Sequence, residues 1–99
     1  AGVNGDQDFE TLLITDSEVR ELVWNTMDWA RKMEAECKNI IAAARGRDWT
    51  NMERAFGRFR YARKQYDQGW REAAKRGYLQ EPHYELWQAT WDAARLEVD

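Results

Sequence analysis

The sequence predicts an all-α fold, in which a long antiparallel helical hairpin packs against a shorter third helix as a three-helix bundle. One proline and six glycines among 99 residues are too few turn formers for an all-β domain. Positions 49 to 73 carry an unbroken heptad series with steps of three and four residues, which indicates a long helix covered by other helices. The series is Trp49, Met52, Phe56, Phe59, Arg63, Tyr66, Trp70 and Ala73. A chain of this length holds one modest core, so we predict a single helical domain over residues 16–99.

Residues 1–15 are predicted to form a flexible N-terminal arm, because residues 1–8 contain two glycines and little apolar surface. An apolar cluster follows, formed by Phe9, Leu12, Leu13 and Ile14. Two interpretations of this cluster stay open. It packs against the end of the bundle as a lead-in to the first helix, or it reaches across to another subunit.

Helix one is predicted over residues 16–45. Thr15 and Glu18 have the spacing of a capping box, in which each side chain accepts from the backbone N–H of the other residue. Ile14 and Val19 occupy the hydrophobic-staple positions around this box. Gly46 is predicted to end the helix, since glycine is common at the C′ position.

Helix two is predicted over residues 49–76, and the short connector 46–48 requires it to return antiparallel to helix one. Asp48 caps the helix, or Thr50 and Glu53 form a second capping box. Gly77 is expected to end it. Three small residues spaced seven apart define a small-residue ridge where another helix is expected to come close: Ala55, Ala62 and Gly69. Gly57 has no such explanation.

Helix three is predicted over residues 82–97, with Pro82 in its first turn. Its apolar residues again recur at steps of three and four: Tyr84, Trp87, Trp91, Ala94 and Val98. At 1.5 Å per residue it is roughly 24 Å long, while each arm of the hairpin is roughly 40–45 Å long. A helix of this length covers only half of the hairpin.

The far end of the hairpin therefore keeps apolar side chains that helix three does not reach. We predict that these residues bind a partner, which is a second copy in a homodimer, a larger protein, or both. The alternative is that they pair within the hairpin and leave a modest patch. The predicted partner-binding residues are Ile40, Ile41, Trp49, Met52 and Phe56.

Basic charge is concentrated in helix two and the residues that flank it. Residues 45–77 carry ten basic and four acidic residues, whereas the remainder carries five basic and fourteen acidic residues. The favoured interpretation is pairing with the acidic helices, for instance Glu34 or Glu36 with Arg60 or Arg63. The alternative is an anionic ligand such as a nucleic acid or nucleotide. Its candidate residues are Arg54, Arg58, Arg60, Arg63, Lys64 and Arg71.

The residues that usually support catalysis or metal binding are scarce. One cysteine and one histidine give neither a multi-cysteine zinc site nor a pair of histidine ligands, so we expect no metal, no cofactor and no enzymatic activity. The lone Cys37 favours a reducing compartment, which predicts a cytoplasmic protein. No stretch approaches the roughly 20 apolar residues of a membrane span.

One short pattern gives an enzymatic alternative. Arg76 and His83 are separated by six residues, and this spacing is similar to the Arg-x(4–6)-His pattern of dimeric helical RNases of the HEPN type. The resemblance covers these two residues alone, and Gly77 replaces the polar residue common after the arginine. The non-catalytic interpretation places His83 in the exposed first turn of helix three.

Taken together, the sequence predicts a small protein–protein interaction module that self-associates and docks on a larger macromolecule as an adaptor or inhibitor.

Overall fold

The computed structural model describes residues 15–98, which form three α-helices and, within that range, no β-strand. Helix α1 is Asp16–Arg45, α2 is Trp49–Lys75 and α3 is Tyr84–Val98. The predicted all-α, three-helix fold is confirmed. Apart from Thr15, the predicted N-terminal arm lies outside the described residues.

The start of α1 follows the local capping signal. The Glu18 backbone N–H donates to Thr15 Oγ1 over 3.3 Å, which is the first half of the predicted capping box. Asp16 and Glu18 place negative charge in the first turn, where the helix dipole is positive. The predicted start at residue 16 is therefore confirmed.

The turn between α1 and α2 is a Schellman motif. Asp48 N donates to Ala43 O over 2.9 Å, and Arg47 N donates to Ala44 O over 3.1 Å. The left-handed residue is Arg47, with φ of 55°, and Gly46 has a φ of −84°. The predicted C′ position of Gly46 was wrong by one residue, because the last turn of α1 extends to include the glycine as its C-cap.

The ends of α2 are fixed by a side chain and by a glycine. Asp48 caps the helix, since its carboxylate accepts from Asn51 N over 3.2 Å. At the other end Gly77 has a φ of 79°, and Tyr78 N donates to Ala73 O over 2.9 Å in a second Schellman motif. Asp48 is thus the cap, in preference to Thr50.

The small-residue ridge is buried at Ala55 and Ala62 and comes close to α1 at Gly69. Ala55 and Ala62 are 1% and 2% exposed. A Cβ added to Gly69 would lie 2.2 Å from Thr26 Oγ1 on α1. The predicted close approach is confirmed. The contact line runs beside the heptad series, so Arg63 is exposed and does not lie in the interface as its heptad position suggested.

The core lies in one half of the hairpin, where α3 packs. Its buried residues are Val19, Val23, Met27, Ala73, Tyr78, Trp87 and Ala94. The α3 backbone lies close to α1. It meets α2 through the Trp70 ring, whose centroid is 5.4 Å from that of Trp87 and 4.9 Å from that of Trp91.

Pro82 precedes α3 in a turn, so its predicted place in the first helical turn was wrong. None of the helices in the described range is long and apolar enough to cross a membrane.

Candidate functional site

The first candidate site is the tip patch, defined by the five residues predicted to bind a partner. Ile41 is 51% exposed and Trp49 is 59% exposed. Ile40, Met52 and Phe56 are half-buried. The antiparallel turn brings Ile40 and Ile41 of α1 to the same end of the molecule as Trp49, Met52 and Phe56 of α2. None of these five residues belongs to the core cluster of residues 15–98. The tip patch is therefore solvent-accessible apolar surface beyond the reach of α3.

The second candidate is the outward side of α2, which we call the basic face. It consists of Arg60, Arg63, Lys64 and Arg71, which are all exposed and surround a shallow cleft together with Asp67 and Gln68. Arg60 and the buried Ala62 are two positions apart and therefore point to nearly opposite sides of the helix. The basic face also touches the tip patch, because the Arg60 guanidinium lies 5.9 Å from the centroid of the Phe56 ring.

The predicted ion pairs between helices were placed on the wrong arginines. In residues 15–98 one salt bridge joins two helices, from Arg58 Nε to Glu36 Oε2, and the other three are local to one helix. Arg58 turns toward α1, whereas Arg60 and Arg63 point away from it. In that part of the chain, no carboxylate lies within 4.0 Å of the basic-face cations. Of the six predicted anion-binding residues, Arg54 and Arg58 lie off this face.

A third feature, the side groove, was missed by the sequence reasoning. It is an open apolar groove of about 610 Å³ between α1 and α2. Its lining residues are Trp29, Lys32, Ala35, Glu36, Arg54, Gly57, Arg58, Tyr61 and Ala62. Trp29 follows Met27, a core residue that packs on the α3 side, by two positions, so the groove lies on the side of α1 away from α3.

Aromatic rings and one ion pair shape the side groove. The Trp29 and Tyr61 rings meet edge to face, with centroids 5.5 Å apart and planes at 76°. Lys32 Nζ lies 4.0 Å from the centroid of the Trp29 ring, as a cation–π contact. The Glu36 side chain is only 13% exposed and is bonded by Arg58 and by Asn39 Nδ2.

These hydrogen bonds set the ionisation of Glu36. The hydrogen bond from Arg58 holds the pKa of the Glu36 carboxyl below its ordinary value of 4.5, and desolvation opposes this effect. The hydrogen bond from Asn39 and the charge of Arg58 lower the pKa further. Glu36 is therefore a carboxylate at neutral pH, and it is already neutralised within the groove.

Gly57 was the sequence signal that could have revealed the side groove. It lies in the middle of α2, where glycine is less favourable than alanine by about 1 kcal/mol. In the described part of the chain, nothing lies within 4 Å of the position that a Cβ would occupy, in contrast to Gly69. Gly57 therefore borders open space, and it lies on the lining of the side groove.

Arg76 and His83 form the RNase-like pattern, and Arg76 is held in an ion pair within the chain. The Arg76 Nε donates to Glu72 Oε1 over 2.8 Å, and this hydrogen bond lowers the pKa of Glu72. His83 precedes α3 and is half-buried, so its expected place in an exposed first turn was wrong. Within residues 15–98, no group of three or more acidic, histidine or cysteine residues could hold a metal ion.

Comparison with protein-family models, with curated proteins and with solved structures finds no match to this chain. The surfaces of the fold are consequently the basis for a functional argument. Among the described residues, the tip patch holds the exposed tryptophan Trp49 and the exposed Ile41 at one end of the hairpin.

Proposed function

We propose that this protein is a small non-enzymatic protein–protein interaction module, which self-associates through the tip patch and docks on a larger macromolecule as an adaptor or inhibitor. The observation that carries the proposal is the exposure of Ile41 and Trp49 at the end of the hairpin that α3 does not cover. Apolar surface clustered in this way is typical of an interface.

Burial of the tip patch would stabilise a dimer. Fully burying one large apolar side chain is worth about 1.5–3 kcal/mol. A two-fold axis at the tip would pack the patch of one copy against the same patch of the second copy, so that every contact between two different residues occurs twice. Two hairpins joined in this way form a local four-helix arrangement, which is a common way of covering helical apolar faces.

Association should be measured by light scattering and sedimentation over a range of protein concentrations. We expect a dimer at micromolar concentration, and Ile41→Ser should raise its dissociation constant by about tenfold or more. Leu96→Ser is the matched control, because Leu96 is 75% exposed but lies on α3 away from the tip patch. A monomer at micromolar concentration, or equal weakening by both substitutions, contradicts self-association through the tip patch.

A second candidate function is binding of a nucleic acid through the basic face. The supporting observation is the row of exposed cations on the outward side of α2, which contact no carboxylate among residues 15–98. Binding to phosphates weakens steeply with salt, and each lost phosphate contact lowers the salt slope by about 1. Binding of a labelled single-stranded oligonucleotide should be measured against salt for the wild type and for Arg63→Gln with Arg71→Gln. Salt-insensitive binding, or a slope unchanged by the substitutions, argues against this candidate.

A further inference from the structure

We propose that the side groove is a binding site for a small amphipathic anion, a molecule with an apolar body and one anionic head group. This site is separate from the tip patch and from the basic face. Three independent features support it: an open floor, aromatic walls and an excess of positive charge at the rim.

The open floor is provided by Gly57. Glycine inside a helix lowers helix stability relative to alanine, and no packing in the described part of the chain requires it here, since nothing lies within 4 Å of an added Cβ. A side chain at this position would project into the groove. The glycine therefore keeps space open that a larger residue would occupy.

The walls supply apolar contact area. The edge-to-face pair of Trp29 and Tyr61 forms one side, and Tyr61 is 58% exposed although it is a large aromatic residue. A molecule that covers these rings gains from burying their surface. The volume of about 610 Å³ falls within the range of about 300–1,000 Å³ that is usual for small-molecule sites.

Charge at the rim selects an anion. Lys32, Arg54 and Arg58 line the groove together with a single acid, Glu36. Glu36 is already bonded by Arg58 Nε and Asn39, and the terminal nitrogens of Arg58 take no part in that pair. Lys32 and Arg54 lie within 4.0 Å of no carboxylate among residues 15–98. An anionic head group would therefore meet two cations, Lys32 and Arg54, that no carboxylate of residues 15–98 pairs with.

The length of the groove favours a small molecule over a partner helix. Its lining covers residues 29–36 of α1 and 54–62 of α2, a length of about 12 Å at 1.5 Å per residue. A specific protein interface usually buries about 800 Å² on each partner. Two turns of helix beside this groove offer much less.

The test uses two probes, the aromatic sulfonate 8-anilinonaphthalene-1-sulfonate and the aliphatic carboxylate dodecanoate, each titrated into isotope-labelled protein. We expect saturable amide chemical-shift changes centred on Gly57 and Tyr61. Binding of one probe alone identifies the apolar body as aromatic or aliphatic, and binding of both shows that either body fits. If neither probe shifts these amides, or if the changes centre on Ile41 and Trp49, the proposal is overturned.

Two pairs of variants make the test specific. Gly57→Leu fills the groove and should weaken binding by about tenfold or more, whereas the matched Gly57→Ala should change it by less than about threefold. Lys32→Gln with Arg54→Gln leaves the floor intact and should weaken binding by about fivefold while reducing its salt dependence. Circular dichroism verifies that each variant is folded. Unchanged affinity in both Gly57→Leu and the double variant overturns the site.

Discussion

Arg47 adopts the left-handed backbone conformation that closes the turn between α1 and α2, with a φ of 55°. A non-glycine residue pays for this conformation through crowding of its Cβ. We expect Arg47→Gly to raise the free energy of unfolding by about 1 kcal/mol, measured by urea denaturation.

Gly46 provides the control for this position. Its φ is −84°, and an added Cβ would make ordinary contacts of 3.6 Å and 3.8 Å with the carbonyl oxygens of Ala42 and Ala43. Gly46→Ala should therefore leave stability unchanged or raise it by up to about 1 kcal/mol. Destabilisation by Gly46→Ala, together with no gain from Arg47→Gly, would show that the left-handed residue is Gly46.

Glu36 makes stability depend on pH. Its pKa in the folded protein is lowered, chiefly by the hydrogen bond from Arg58, so the unfolded state binds a proton more readily. The resulting stabilisation is fully present above the ordinary value of 4.5 and is lost as pH falls through the lower folded pKa. We expect Glu36→Gln to flatten this part of the acid denaturation curve.

The matched control for this effect is Glu34→Gln. The Glu34 side chain is 72% exposed, and among residues 15–98 its one salt bridge is with Lys38 of its own helix, at 3.7 Å. Surface pairs of this type contribute little to stability. The acid limb should keep its shape in Glu34→Gln. If the two variants flatten it equally, the Glu36–Arg58 pair is not its source.

At the scale of the helix, the two interior glycines of α2 should respond in opposite ways to alanine. Gly57→Ala should raise the free energy of unfolding by about 1 kcal/mol, since the helix gains propensity and nothing obstructs the methyl group. Gly69→Ala should lower it by about 1–3 kcal/mol, because the methyl group would overlap Thr26. Thermal and urea unfolding measure both changes.

A double-mutant cycle isolates the contact at Gly69. Thr26→Ala removes Oγ1 and Cγ2, the two atoms nearest to the added Cβ. It also loses the hydrogen bond from Oγ1 to Leu22 O, so it destabilises by itself. In the Thr26→Ala background, Gly69→Ala should be less harmful by about 1 kcal/mol. Additive effects would mean that another contact limits the approach of the helices.

The start of α1 and both ends of α2 were predictable because they depend on neighbouring residues. Thr15, Asp48 and Gly77 each act within one turn, so their spacing in the sequence is sufficient to locate the boundaries. The small-residue ridge was also predictable, since close helix packing requires a line of small side chains at heptad spacing. These predictions required no knowledge of how the helices are rotated about their axes.

The rotation of each helix about its own axis explains the features that were not predicted from the sequence. The heptad series placed Arg63 in the interface, but the contact line passes through Ala62 and leaves Arg63 exposed. The same rotation brings Arg58 to Glu36 and opens the side groove beside Gly57. This rotation depends on which side of the hairpin α3 packs against. Because that arrangement involves all three helices, the spacing of residues within one helix does not specify it.

At the scale of the whole molecule, the two halves of the hairpin are stabilised differently. Core residues of α1 lie between positions 19 and 27, Ala73 of α2 is buried with them, and Trp70 of α2 packs against this cluster. Within residues 15–98, the half that ends in the tip patch is held by the contacts between α1 and α2 and lies outside the core cluster. Its local stability should be lower, and amide hydrogen exchange near Ile40 and Phe56 should be faster than near Val23 and Ala73.

Self-association would raise the stability of the half that ends in the tip patch as protein concentration increases, through mass action. If the tip patches of two copies pack together, the dimer stabilises the folded state, so the thermal midpoint and the protection of the tip amides should rise with protein concentration. Ile41→Ser should shift this dependence to protein concentrations about tenfold higher or more, without changing the protection of the core amides. Trp70→Ala should lower the midpoint at every concentration by removing core packing, while leaving the concentration dependence intact. A midpoint that is constant with concentration in the wild-type protein would contradict a stabilising dimer at the tip.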